Sequence, residues 1–291
     1  MINSRYDNMK TANVQIEKCI FYLVLLVFTT GNSFAQQGQK GMDNKKTAEK
    51  QRYFTSSLSL KHIQLRDQHM SPVTYFGTVV SPGVGIIKRK ERSISEFSLN
   101  FALGSIQAKN GSELRPMQGD YFRVDIQYSY LRFVKNIVDQ RYRWYLGGKF
   151  RSHSNVRLNE QLDTGFITFI FSNGLSLATA VERDFTLFNR KMTLSYQLDV
   201  PLITHMIRPN YLNIFNYIDP ENDWFEERFR DSDLLPVGKF SGINSQLSLS
   251  YMIKAGNMIR FTYGWEYYAL NNKLKAKNAS HDFSVALLFN F

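Results

Sequence analysis

Three groups of residues in the chain have types and spacings that could do chemistry. His153-Ser154-Asn155 sets an imidazole beside a hydroxyl. An imidazole that takes a serine proton creates a nucleophile, provided both side chains share a face. On an extended strand that requires a spacing of two. His153 and Ser154 are adjacent, so a regular strand points them to opposite faces, and Ser152 offers no base. Without a bulge, this is a polar strand end. The second group is acidic: Asp219, Glu221, Asp223, Glu226, Glu227, Asp231 and Asp233, with His205 at the head of the same stretch. The spacing fits no EF-hand, and a solvated acidic loop is the plainer expectation.

The third group alternates with apolar residues and so lines one face of several strands. It comprises Arg123, Asp125, Gln127, Lys149, Arg151, Glu182 and Asp184. Buried charges need partners, so one reading is a satisfied polar network filling a small interior. The other is a narrow lumen that passes or holds an anionic solute. No catalytic residue, metal ligand or cofactor is assigned. The one cysteine, Cys19, lies in the N-terminal segment, which leaves no thiol for disulfides or thiolate metal sites beyond it.

These residues need strands to position them, and the last stretch shows the pattern most plainly. In His281–Phe291, HDFSVALLFNF, the positions Phe283, Val285, Leu287, Phe289 and Phe291 alternate with Ser284, Ala286, Leu288 and Asn290. That is the period of a strand. Ten strands are predicted: 54–66, 73–88, 94–107, 121–134, 142–153, 166–184, 192–204, 240–253, 258–270 and the terminal one. Asn173-Gly174 is hairpin-like by type, yet a turn there would make the count odd, so 166–184 is kept as one strand. Ser81-Pro82-Gly83 predicts a bulge, because proline cannot donate to a ladder. Connections after even-numbered strands are short, and those after odd-numbered ones mostly longer and polar. The fold class expected is all-β: a closed antiparallel transmembrane β-barrel with short periplasmic turns and longer external loops.

The N-terminus reads as an address. Ile20–Phe28 is an unbroken apolar run after Lys18, and Ser33-Phe34-Ala35 supplies a small-x-small cleavage site. This is the layout of a signal peptide over 1–35, too short to span as a helix. Residues 36–52 are polar and expected to be a disordered periplasmic lead-in, with the barrel over 53–291. Aromatics make up 14% of the 291 residues, as girdled barrels require. The formal charge of +11 is spread over turns and strands and not gathered in a run. That favours a solvated surface or anionic headgroups over nucleic acid.

The terminal pair Phe289 and Phe291 resembles the C-terminal assembly signal of bacterial outer-membrane barrels. Three phrases extend the resemblance: Ser71-Pro72-Val73-Thr74-Tyr75-Phe76-Gly77, Pro201-Leu202 with Arg208-Pro209-Asn210-Tyr211, and Tyr263-Gly264-Trp265-Glu266-Tyr267-Tyr268. Together they resemble the small outer-membrane barrels of Bacteroidota. The resemblance implies a Gram-negative outer membrane and contact with its lipid, lipopolysaccharide included. It also implies insertion by the barrel assembly machinery through the strand ending at Phe291. It supplies no active-site motif. The expected role is that of a monomeric, non-enzymatic structural, ligand-binding or partner-binding barrel acting through its external loops. The rival class is an outer-membrane lipid hydrolase, which His153-Ser154-Asn155 loosely resembles, or a rim protease.

In the longest connection, Asp219 and Pro220 form a helix start, and Trp224, Phe225, Arg228 and Phe229 follow at helical spacing. A short amphipathic helix over 220–229 is expected. It needs a surface to pack on, because two or three turns are marginal in water. One home is the barrel mouth, with its acidic face toward Lys149 and Arg151; the other is a protein partner.

Overall fold

The computed structural model describes residues 51–68, 71–108, 118–138, 141–159, 167–187, 190–208, 232–271 and 275–291. The expected signal peptide, nearly all of the expected lead-in, and the loop residues Asp219, Trp224, Phe225 and Phe229 of the expected helix lie outside the described residues.

The strands are β1 (Gln51–Asp67), β2 (Ser71–Lys90), β3 (Ser93–Ala108), β4 (Gln118–Ile137), β5 (Tyr142–Leu158) and β6 (Ile167–Leu187). They continue as β7 (Arg190–Ile207), β8 (Ser232–Pro236), β9 (Phe240–Met252), β10 (Met258–Leu270) and β11 (Ala276–Asn290). Each pairs antiparallel with its neighbour. The sheet closes where β1 meets β11, from Tyr53↔Asn290 to Asp67↔Ala276. Closure removes the open edges of the ten-stranded wall, as a hydrocarbon surround demands.

Ten strands make the barrel wall, and β8 is an eleventh that sequence reasoning missed. It pairs with Ile203–Ile207 at one end of β7, while β9 pairs with Met192–Asp199. The two amount to one wall strand broken at 237–239, where Gly238 adopts φ 103°, a left-handed conformation that glycine takes without steric cost. The stretch 205–238 is therefore not a single irregular connection. β1 begins at Gln51, so the last two lead-in residues belong to the wall. β5 and β11 each extend five residues past their predicted ends toward the loops. Asn173 and Gly174 stay inside β6, paired with Ser152 and Arg151.

The bulge expected at Pro82 is absent. The β1–β2 register runs unbroken through Leu58↔Pro82. Toward β3 the ladder lapses at Ser81 and Pro82 and resumes in the same register at Gly83↔Asn100. A missing donor is absorbed by a gap in the ladder and not by an extra residue. The register shifts lie elsewhere: opposite Leu175/Ser176 on β7, between Phe133 and Lys135 on β4, and at Arg66/Asp67, the loop end of the β1–β2 pair.

Connections separate by end. At the turn end lie 91–92 and 253–257, together with Gln51 and Phe291. At the loop end three residues separate β1 from β2, and more separate the later strands that follow one another there.

Burial is inverted relative to a protein in water. Leu58, Leu60 and Phe283 are 47%, 55% and 61% exposed on the outer face, while Arg123, Asp125 and Lys149 are buried within. Such an outward apolar band is what a barrel presents to lipid. Inside, apolar clusters line part of each end: Tyr53, Ile87, Met258 and Leu288 at the turn end, and Ile63, Leu65, Tyr75, Ile106 and Tyr121 at the loop end. Close strand approach fixes several glycines, Gly147 most tightly. A Cβ on Gly147 would meet the carbonyl oxygen of Tyr130 on β4. Gly147→Ala is therefore expected to destabilise the barrel by about 1–3 kcal/mol, read as a lower urea midpoint, while Gly148→Ala, whose Cβ would meet the Ser176 carbonyl oxygen at an ordinary 3.7 Å, should cost less.

Candidate functional site

The inward side chains form layers across the bore. At mid-depth, β4, β5 and β10 bring two arginines and two carboxylates together. Arg123 donates to Asp125 from Nε at 2.8 Å and to Glu266 from Nη2 at 3.3 Å. Arg151 donates to Asp125 from Nε at 2.7 Å and to Glu266 from Nη2 at 2.9 Å. Gln127 donates to Asp125 at 3.3 Å. The guanidinium forks satisfy several carboxylate lone pairs at once, the arrangement that best offsets the cost of burying charge. Beside this square, Lys149 donates to Asp199 at 2.9 Å, and Asn244 adds a second donor to the same carboxylate at 3.1 Å.

A second cluster lies toward the turn end. Arg89 grips Glu182 through both nitrogens, at 2.9 and 2.5 Å. Arg143 bridges Glu182 at 3.3 Å and Asp184 at 2.9 Å. Between the clusters is a cavity of about 180 Å³, lined by small polar groups such as Ser57, Ser98, Gln127, Ser248 and Thr262. Toward the loop end Arg157, 1% exposed, donates to Asp67, which also accepts from Arg208. Asn155 there donates to the Tyr121 hydroxyl at 2.9 Å.

The seven residues singled out in the sequence do not make one site. Arg123, Asp125, Gln127 and Arg151 share a network. Lys149 belongs to the adjoining pair. Glu182 is in the turn-end cluster, and Asp184 sits at the rim, its side chain 55% exposed, held by Arg143 and Thr193. Sequence reasoning missed the partners Glu266, Asp199, Arg89 and Arg143. Parity along β10 was the available signal, since Glu266 shares the face of Thr262 and Met258, opposite Tyr263 and Trp265. Lys149 and Arg151, expected to meet an acidic helix over the mouth, are already neutralised from within the wall.

β5 is regular on both sides through 153–155. His153 is consequently buried, its ring 6.3 Å from that of Tyr268, while Ser154 lies on the outer face. Imidazole and hydroxyl do not meet, and no nucleophile forms there. His205 pairs across from Leu234 on β8, and Asp233 is exposed beside it. The remaining acidic residues of that group lie outside the described residues. Among the described residues no cluster of three or more metal-ligating side chains occurs.

Fold and interior together define a ten-stranded transmembrane barrel whose bore is crossed by charge-paired layers. No protein-family model and no curated protein sequence matches the chain. Among solved structures it is similar to the outer-membrane protease OmpT from Escherichia coli, at 9% identity over 86% of this chain and 99% of that one, TM-score 0.43. It is similar also to the translocator domain of the autotransporter NalP from Neisseria meningitidis, at 8% identity over 90% and 97%, TM-score 0.36. Neisserial surface protein A matches at 10% identity over 82% and 97%, TM-score 0.35. At these identities and scores no activity passes from them to this chain.

Proposed function

We propose that this protein is a non-enzymatic barrel of a Gram-negative outer membrane. Its wall is a closed scaffold, and its recognition of ligand or partner takes place at the loop end. The observation that carries this reading is the square of Arg123, Asp125, Arg151 and Glu266 with its neighbour Lys149–Asp199. These groups face one another across the bore and neutralise one another, so the charges have no call on a passing solute. Apolar clusters line part of the bore at both ends. In this reading the signal peptide is cleaved near Ala35, assembly proceeds through the strand ending at Phe291, and the outer face meets lipid, including lipopolysaccharide. The separation of His153 from Ser154 weighs against a lipid hydrolase.

The test is conductance in planar bilayers. Purified wild-type barrel is expected to give no discrete channel steps. Asp125→Ala/Glu266→Ala, which strips the carboxylates from two buried arginines, is expected to give unstable, anion-selective currents. Stable wild-type steps of uniform size would replace the scaffold reading with that of a solute channel.

A further inference from the structure

The cations on the outer wall at the turn end are arranged in a way the interior does not explain. Arg52 on β1 and Lys88 on β2 are direct cross-strand partners. Like charges so placed repel. Lys90 on β2 and Arg132 on β4 pair with the same residue, Ser93 on β3, from its two sides. The β4 bulge at Val134 reverses side-chain parity: Leu131 and Phe133 turn inward, yet Lys135, two further on, is exposed on the outside. Its ammonium lies 5.9 Å over the ring of Trp144. Arg183 on β6 lies 5.3 Å over Tyr142 and donates to its hydroxyl at 3.1 Å.

These six cations form an arc across β1 to β6, immediately below the apolar band. None is in an ion pair with a described residue. Glu91 and Asp184 are the exposed acids at that end among the described residues, and Asp184 is taken by Arg143. Tyr142 and Trp144 stand where a barrel's aromatic girdle meets the headgroups. Stacking on them therefore fixes the heads of Lys135 and Arg183 at headgroup height. An arc of unneutralised charge at that depth calls for a negative partner in the membrane plane.

We infer that the turn-end arc of Arg52, Lys88, Lys90, Arg132, Lys135 and Arg183 binds anionic glycerophospholipid headgroups of the leaflet that surrounds the periplasmic turns. The ligand class is a phosphodiester lipid of net negative charge, with phosphatidylglycerol as the probe. This inference rests on the membrane reading above, and the experiment separates the two.

Barrel carrying Trp144 as its sole tryptophan, with Trp224→Phe and Trp265→Phe, is folded into mixed phosphatidylglycerol and phosphatidylcholine vesicles. Either lipid is brominated in turn, and quenching of Trp144 is compared. Phosphatidylglycerol is expected to be preferred by about fivefold or more at low ionic strength, falling toward parity in high salt. Arg52→Gln/Lys88→Gln/Lys135→Gln should approach parity at low salt while keeping its heat-modifiable gel mobility. Arg66→Gln/Lys277→Gln, at the opposite end of β1 and β11, should retain the preference. Parity in the wild type, or an undiminished preference in the triple variant, overturns the inference. Failure of all versions to insert into vesicles counts against the membrane reading instead.

Discussion

Asp125→Ala is expected to destabilise the folded barrel by about 3–5 kcal/mol, the cost of leaving a buried charge without its partner. Asp125 accepts from Arg123, Arg151 and Gln127, and its side chain is 5% exposed. Its loss leaves two buried guanidinium groups sharing Glu266. A second substitution makes the expectation specific. Asp125→Ala/Arg151→Met leaves Arg123 with Glu266 as a neutral pair and should recover most of the loss, because a buried ion pair replaced by apolar volume is often close to neutral. Urea unfolding of vesicle-inserted protein gives both numbers. If Asp125→Ala unfolds with the midpoint of Gln107→Ala, at an exposed position on β3, the charged layer contributes nothing to the fold.

How far this layer was legible in the sequence depends on the geometry involved. Parity along a single strand is local, and it placed Arg123 and Asp125 on one face, and Lys149 and Arg151 on another. The partner of those charges is not local: Arg123 reaches a carboxylate 143 residues away. That contact exists because closure at the β1–β11 seam curves β10 round to face β4 and β5. No periodicity encodes that curvature. The same reasoning covers the errors. β8 has five residues and ends in proline, too short for alternation to show. Pro82 suggested a bulge because the sequence reveals a missing donor but not which neighbour it faces. Asp184 keeps the parity of Glu182 yet is solvent-exposed, because parity says which way a side chain points and not how deep it lies. The ten wall strands were legible for the converse reason. Each alternates apolar and small or polar residues over a length sufficient to cross a bilayer, and each strand's pattern is independent of its neighbours.

Leu58→Arg is expected to cost about 2–4 kcal/mol in vesicles, and His62→Arg, four residues along the same face, only about 0–1. Leu58 lies directly opposite Val285 on β11 and Pro82 on β2, midway between Arg52 and Arg66 on the outer wall. If lipid surrounds the barrel, an arginine there must be desolvated or drag water and headgroups inward. His62 pairs with His281, and its ring nitrogen is 3.2 Å from the Thr78 hydroxyl, so it already sits where polar groups collect. In water the expectation reverses. Leu58 is 47% exposed, and an arginine there would relieve an apolar patch at a cost within about 0.5 kcal/mol. Depth dependence is thus the signature of a bilayer and not of burial, since burial in the structure predicts no penalty at either position. Equilibrium refolding from urea into vesicles, with both variants measured against wild type, reads it directly. Equal small effects at Leu58 and His62 would mean that the exposed band faces something other than hydrocarbon.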